Sequence, residues 1–267
     1  MSVELERDGP VTTVVLDRVE VRNAVDPASA DALVAAFEAF ERDEQAKVAV
    51  LFGARGTFCS GWDLKYGATL AGEDARRELA LDYPQDEAAP PRGPMGPTRL
   101  ELDKPVIAAI AGPAVAGGFE LALWCDLRVM EQSAYFGVYC RRWGVPLVDG
   151  GTVRLPRLVG AGRAMEIILT GRKVSSEEAQ RIGACEQVVP DGRSREHAEA
   201  MAHAIARFPQ ACLRADRRSV RMQEGLPLRE AMRREWYNGL PAFVAEGAAG
   251  AARFASGKGR HGDFDAL

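Results

Sequence analysis

The chain of 267 residues is 47% hydrophobic and 27% charged, which is enough to bury a sizeable core in one large domain, alone or with an appendage. Its net charge of −4 gives no electrostatic basis for binding nucleic acid or an anionic membrane, and no apolar run approaches transmembrane length. The five cysteines lack metal-site spacing, and the first residues lack a signal-peptide layout. We therefore expect reduced thiols in a cytoplasmic protein that binds neither nucleic acid nor membrane.

The three histidines limit the chemistry that the chain can perform. None of them lies in a motif with serine, cysteine or carboxylates. This pattern argues against a Ser/His nucleophile and against a histidine metal site, so no bound metal is expected.

The first half of the chain alternates strands with helices. Asp26 and Pro27 are typical of the cap and first turn of a helix, and β-branched or apolar runs predict the strands. The predicted elements are a hairpin at 2–7 and 11–16, an amphipathic helix from 26 to about 43, and buried strands at 48–52 and 105–110. Residues 66–98 between these strands are rich in glycine, proline and charge, which predicts a mobile surface insertion or lid.

The second half begins with strands and ends with helices alone. The predicted elements are a buried helix at 119–124, strands at 126–130 and 134–136, a loop at 141–151, helices at about 152–159, 161–170 and 175–182, and a strand at 186–190. From about 193 the pattern is helical, with breaks near Pro209, Pro227 and Pro241. This order predicts an α/β core with a helical C-terminal part.

Two glycine-containing loops are the candidate sites of chemistry. Gly117 and Gly118 separate a strand from an apolar helix, where glycine permits unusual backbone conformations and the close approach of a ligand. The helix start is positive, so the N–H of Gly117 suits a carbonyl oxygen that gains negative charge, with Glu120 one turn away. Alternatively, the glycines form only a tight turn and Glu120 serves only the helix dipole. Gly61 marks a second such loop.

The motifs FCSGWDL at 58–64 and AGGFELA at 116–122 belong to an ordered set that spans nearly the whole chain. The other members lie at 22–24, 104–110, 125–126, 136–137, 150–152, 154–156 and 169–171. Together they resemble the enoyl-CoA hydratase/isomerase (crotonase) superfamily. The resemblance implies an α/β fold, a crotonase-like spiral of β-β-α repeats with a C-terminal helical trimerisation region.

The same resemblance implies a core at 1–199 that holds an acyl-CoA site, and an oligomerisation region at 200–267 that builds trimers or hexamers. It implies a coenzyme A thioester as substrate, with coenzyme A entering as part of that substrate and no permanently bound cofactor. In the superfamily, two backbone N–H groups stabilise an enolate oxygen, and these map to Trp62 and Gly117. The positions that map to coenzyme A or substrate binding are Arg22, Ala24, Ser60, Gly61, Asp63, Leu64, Lys65, Gly118, Tyr139, Cys140 and Trp143.

The chain departs from the hydratases of this superfamily at one catalytic position. Their first glutamate maps to Glu120, but the second maps to Cys140, and a neutral thiol is a poor substitute for a carboxylate. Asp149 offers a second carboxylate, so that Glu120 and Asp149 divide the acid and base roles. Alternatively, Asp149 is only a turn residue and a cap for the following helix.

The leading hypothesis is an enzyme of the enoyl-CoA hydratase/isomerase type, a lyase or isomerase, with Glu120 as its acid/base. The alternative is a non-catalytic acyl-CoA-binding protein on the same scaffold, which Cys140 favours. A nucleophilic hydrolase of related fold is disfavoured because histidines are scarce.

Overall fold

The computed structural model describes residues 2–70, 83 and 91–259, and nine strands within them form two sheets. The strands are β1 (Val3–Asp8), β2 (Val11–Leu16), β3 (Val48–Gly53), β4 (Val106–Ile110), β5 (Pro113–Val115), β6 (Leu127–Glu131), β7 (Tyr135–Gly137), β8 (Lys173–Ser175) and β9 (Gln187–Val189). The large sheet has the order β1-β2-β3-β4-β6-β9, and the small sheet has the order β5-β7-β8. Only the β1–β2 and β7–β8 pairs are antiparallel.

Ten α-helices occur in the described residues. They are α1 (Pro27–Arg42), α2 (Leu64–Gly67), α3 (Gly117–Trp124), α4 (Gly151–Val159), α5 (Ala161–Thr170), α6 (Ser176–Arg181), α7 (Ser194–Ala206), α8 (Gln210–Met222), α9 (Leu228–Ala242) and α10 (Ala248–Ala255). Short 3-10 helices lie at Val19–Val21, Pro97–Arg99 and Tyr139–Trp143, and Phe243–Gly247 is π-helical. Among these helices none combines the length and the apolar character that a membrane span requires.

The predicted hairpin and first helix are confirmed. Strands β1 and β2 pair in a register that sets Val3 opposite Leu16. Asp26 caps α1, because its carboxylate accepts from Ser29 N at 2.8 Å, and Pro27 occupies the first turn. The cap satisfies one of the N–H groups that every helix start leaves without a partner.

The large sheet is covered on both faces, which explains why β4 is apolar at every position. Ala108 and Ile110 belong to the main core with α1, whereas Ile107 and Ala109 face a second cluster. That cluster includes the α7 alanines Ala198, Ala202 and Ala206. Alanines four residues apart on one face allow this helix to pack closely on the sheet. The predicted boundary between the core at 1–199 and the oligomerisation region at 200–267 therefore lies inside α7, which packs on the large sheet.

Three expectations for local structure need correction. Strands β5 and β8, three residues each, were not predicted, although they build the small sheet. The loop predicted at 141–151 begins in the 3-10 helix Tyr139–Trp143. Pro241 does not break the last helical segment, because α9 includes it and continues into the π-helical turn. Pro209 and Pro227 do precede new helices, as predicted.

Most of the cysteines are inside the fold, and several large apolar side chains are outside it. Cys59, Cys125, Cys140 and Cys185 are buried, Cys212 is exposed, and all five are free thiols. The exposed apolar residues include several on the last helices: Leu228, Met232, Trp236, Tyr237, Phe243, Val244 and Phe254.

Candidate active site

The fold brings the two predicted glycine loops side by side. They follow β3 and β4, which are neighbouring parallel strands, and the chain then pairs Cys59 with Ala114 in a parallel bridge. Cys59 N donates to Pro113 O at 3.2 Å, and Val115 N donates to Cys59 O at 3.0 Å. An added Cβ on Gly61 would lie 3.0 Å from Gly117 N. The backbone of 61–62 is therefore adjacent to the start of α3.

The N–H groups of Trp62 and Gly117 are both available to a ligand. Trp62 is bridged to Val25, but those hydrogen bonds run from Val25 N to Gly61 O and from Asp63 N to Val25 O. Gly117 is the first residue of α3, where no intrahelical partner exists. Within the described residues neither N–H donates a hydrogen bond. Two adjacent free donors, one at a positive helix end, suit an oxygen that gains negative charge.

The structure changes the explanation for the glycines of α3. The residue with positive φ is Ala116, at φ 54° and ψ −125°, and neither Gly117 nor Gly118 has a positive φ. A Cβ on Gly118 would overlap with the carbonyl of Cys59, and one on Gly117 would overlap with the Met95 side chain. Glycine at these positions thus allows the close approach of Cys59 O and of Met95, and it is not needed there for backbone conformation.

Glu120 lies on the first turn of α3 and is almost completely buried. Its Oε1 accepts two backbone hydrogen bonds, from Asp149 N at 2.9 Å and from Gly151 N at 2.8 Å. Burial, followed by the negative charge of Asp149, raises the pKa of Glu120 to about 8 despite these donors. Glu120 is therefore mainly protonated at neutral pH and can act as an acid.

Asp149 precedes α4, but its side chain does not cap that helix. The N-cap residue is Gly150, and it makes no side-chain cap hydrogen bond. Asp149 Oδ1 instead accepts from the Thr98 hydroxyl and from Met95 N, the latter at 3.2 Å. Burial raises the pKa of Asp149, while the hydrogen bonds from Thr98 and Met95 act in the opposite direction. The alternative that Asp149 serves as a helix cap is therefore wrong.

Residues 93–98, here called the strap, were expected to belong to a mobile surface insertion and are instead buried. Gly93 and Gly96 exchange backbone hydrogen bonds of 3.1 and 2.9 Å, and this turn places Met95 against Gly117. Met95 and Thr98 are at most 1% exposed. The strap therefore does not lie at the surface as predicted, while residues 71–82 and 84–90 of that insertion lie outside the described residues.

Met95 and Thr98 are site residues that the sequence did not reveal. They contact Asp149 across 54 and 51 residues of chain. Their local sequence, GPMGPT, has the glycines and prolines of an ordinary loop. No spacing rule links them to either catalytic candidate.

Cys140 lies near Glu120, as its predicted equivalence to a catalytic position requires. It is buried in the 3-10 helix, and burial together with the charge of Glu120 raises the pKa of its thiol. It is therefore neutral at physiological pH. Tyr139 is half-buried beneath the guanidinium of Arg142, whereas Trp143 is 68% exposed. The structure thus brings Cys140 into the site and leaves Trp143 at the surface.

The residues predicted to bind coenzyme A form one patch beside the Trp62 loop. Ser60 N donates to Arg22 O at 3.1 Å, which joins the 22–24 segment to this loop. Arg22, Leu64 and Lys65 are exposed and free to meet a ligand.

Two of the predicted binding groups are already used within the protein. Arg18 donates to Ala24 O at 2.6 Å and lies 3.5 Å from the Asp63 carboxylate. Asp63 also caps α2, because its Oδ1 accepts from Lys65 N at 3.0 Å and from Tyr66 N at 3.3 Å. We therefore assign Asp63 to holding the loop that carries Trp62.

Known proteins have sequences related to that of this chain. A family model described as enoyl-CoA hydratase/isomerase matches residues 6–238. Enoyl-CoA hydratase EchA19 of Mycobacterium tuberculosis is 32% identical over 251 residues, covering 91% of this chain and 89% of that protein. Carnitinyl-CoA dehydratase of Salmonella typhi is 35% identical over 234 residues, covering 87% of this chain and 85% of that protein.

Solved structures confirm the predicted fold class. Enoyl-CoA hydratase EchA1 from Mycobacterium marinum superposes with a TM-score of 0.85 at 31% identity, over 96% of both chains. Enoyl-CoA hydratase from Bacillus anthracis gives a TM-score of 0.85 at 29% identity, also over 96% of both chains. The shared fold is the mixed α/β crotonase fold with a helical C-terminal region. This chain belongs to the enoyl-CoA hydratase/isomerase family.

Proposed function

We propose that the protein catalyses proton transfer next to the carbonyl of a coenzyme A thioester. The N–H groups of Trp62 and Gly117 hold the thioester oxygen as it becomes an enolate, and Glu120 and Asp149 exchange the protons. The observation that carries this proposal is the buried carboxylate pair beside two free N–H donors. Preorganised donors of this kind lower the barrier to forming an enolate.

The two carboxylates take different roles because their surroundings differ. The pKa of Glu120 is raised to about 8, so it holds a proton at neutral pH. Burial raises the pKa of Asp149 as well, but the donors Thr98 and Met95 and the charges of Arg99 and Arg154 oppose that rise, so we assign Asp149 as the base. In a dehydration, Asp149 accepts the proton from the α-carbon. Glu120 then gives its proton to the departing hydroxyl, which leaves as water.

Double-bond migration, or dehydration of a substituted acyl group, fits this site better than reactions of a simple enoyl thioester. Cys140 is a neutral thiol at the position of the second hydratase glutamate, so it does not act as an acid or base in either direction of water transfer, and Glu120 and Asp149 serve both directions. The carnitinyl-CoA dehydratase relative supports elimination from a substituted acyl group. Coenzyme A itself is proposed to lie along the patch that includes Arg22 and Lys65, whose cationic side chains suit its phosphates.

The test uses exchange of α-carbon protons in deuterated water, which detects enolate formation whatever the final product. Proton NMR would follow saturated, α,β-unsaturated, β,γ-unsaturated and β-hydroxyacyl-CoA thioesters. Glu120→Gln and Asp149→Asn should each slow product formation. Cys140→Glu should increase hydration, followed as loss of the conjugated enoyl absorbance. Full activity of Asp149→Asn on the best substrate would remove Asp149 from the mechanism.

The two N–H donors have their own test. Gly117→Pro removes one donor and should lower kcat/KM roughly 100-fold to 1,000-fold. Gly117→Ala is the matched control, because it adds the same Cβ against Met95 but keeps the N–H. Equal kinetics of the two folded variants would discard this oxyanion site.

The second candidate is a protein that binds acyl-CoA without turnover, and Cys140 is the observation that favours it. In that case the thioesters bind tightly, no α-proton exchanges, and Glu120→Gln behaves like the wild type.

A further inference from the structure

Within the described residues, the side chain of Asp149 accepts hydrogen bonds through one of its two carboxylate oxygens. Both the Thr98 hydroxyl and Met95 N donate to Oδ1. Thr98 and Asp149 are buried, so this contact is shielded from bulk water. No hydrogen bond from the described residues reaches Oδ2. The carboxylate is thus fixed in orientation while one oxygen keeps its capacity to accept a proton.

Arg154 also links the backbones of Thr98 and Asp149. Arg154 donates from Nη1 to Asp149 O at 2.8 Å and from Nη2 to Thr98 O at 2.7 Å. One guanidinium of α4 therefore spans the strap and the loop before α4. An added Cβ on Gly93 would overlap with both Thr98 Oγ1 and Asp149 Oδ1, so the chain packs directly against this hydrogen bond. These contacts leave Thr98 and Asp149 little freedom to separate.

We propose that Thr98 is a positioning residue: its hydroxyl fixes Oδ1 of Asp149 so that Oδ2 is presented to the substrate in the ionised state. This inference rests on the proposed role of Asp149 as the base. A hydrogen bond donated to a carboxylate favours the charged form, and a buried carboxylate needs such donors because burial favours the neutral form. Thr98 therefore acts through Asp149 and does not itself meet the substrate.

The neighbouring groups set the charge environment of Asp149. Glu120 on α3 holds its proton at neutral pH and adds negative charge only above its pKa of about 8, whereas Arg154 on α4 and Arg99 beside the strap add positive charge. Cys140 is neutral and contributes no charge at physiological pH. Losing the Thr98 donor should therefore raise the pKa of Asp149 further, because one of the hydrogen bonds that favour its charged form is lost.

The test compares Thr98→Val, which keeps the shape, with Thr98→Ser, which keeps the hydroxyl. The acid limb of the pH profile of kcat/KM should shift to higher pH in the valine variant. In the serine variant it should lie at the wild-type position. Thr13→Val is the matched control. Thr13 is also buried and donates to a carboxylate, that of Glu199 at 2.8 Å, but it lies on β2 in the large sheet. A merely structural role would lower activity without moving the limb.

A second readout does not depend on turnover. With ¹³C-labelled aspartate, the infrared difference between the wild type and Asp149→Asn isolates the Asp149 carboxyl and its titration. Thr98→Val should raise that titration, and Thr98→Cys, a weaker donor of similar size, repeats the test if the valine variant does not fold. An unchanged Asp149 titration, or an equal shift in Thr13→Val, overturns the inference. A shifted titration in a protein that exchanges no α-proton supports the inference and rejects the proposed function.

Discussion

Asp149 N donates to Glu120 Oε1 at 2.9 Å, so the residue that carries one buried carboxylate also anchors the other. The anchor is a backbone group, which no side-chain substitution removes. The two acids therefore keep their relative position even when one of them is replaced, and their variants report on charge and proton transfer more than on geometry.

This coupling predicts that Glu120→Gln and Asp149→Asn are not additive. If both acids act in one proton-transfer event, the double variant should be little slower than the slower single variant. The measurement is kcat/KM for the best thioester in all four proteins. Independent contributions, seen as multiplied losses, would contradict a shared step.

Stability should decrease with rising pH through the window set by Glu120. Burial and the charge of Asp149 raise the pKa of folded Glu120 to about 8, against an ordinary value of 4.5. Between these values the folded state binds a proton that the unfolded chain releases, so the free energy of unfolding falls as pH rises. Thermal unfolding across this range should therefore show a smaller loss of stability in Glu120→Gln than in the wild type. Parallel curves would indicate an unperturbed Glu120.

The two glycines of α3 should differ in their tolerance of alanine. A Cβ on Gly118 meets the backbone carbonyl of Cys59, which cannot move without disturbing the bridge to Ala114. A Cβ on Gly117 meets the flexible side chain of Met95. Gly118→Ala should therefore cost about 1–3 kcal/mol or more in denaturant unfolding, and Gly117→Ala should cost less. The reverse order would contradict this packing.

The exposed apolar residues of the last helices predict self-association, and the family resemblance implies a trimer or a dimer of trimers. Trp236 is 65% exposed and Phe243 is 73% exposed, which is unusual for such large apolar side chains in clusters. Light scattering at micromolar concentration should give at least three times the mass of the chain, and Phe243→Asp should lower it. Glu4→Asp on the exposed hairpin should leave it unchanged. A monomeric wild type would refute the prediction.

Local chemistry explains how much of this protein could be predicted from its sequence. Asp26, Pro27 and the β-branched runs act within a few residues, so the hairpin, α1 and the buried strands were identified correctly. The glycine motifs identified both loops, although the need for glycine at Gly118 arises from Cys59, which no local rule could supply. The buried position of the strap could not be predicted because it depends on a contact between Met95 and Asp149, which are 54 residues apart.

The placement of the cysteines allows the lifetime of the folded state to be measured by thiol labelling. A thiol-specific reagent has one exposed target, Cys212, in the native chain and five targets after unfolding. Burial raises the pKa of the four interior thiols, which further limits their reaction in place. The four buried cysteines therefore become labelled together each time a molecule unfolds globally. At high reagent concentration, the rate of this labelling equals the unfolding rate. It therefore measures the lifetime of the native state without denaturant.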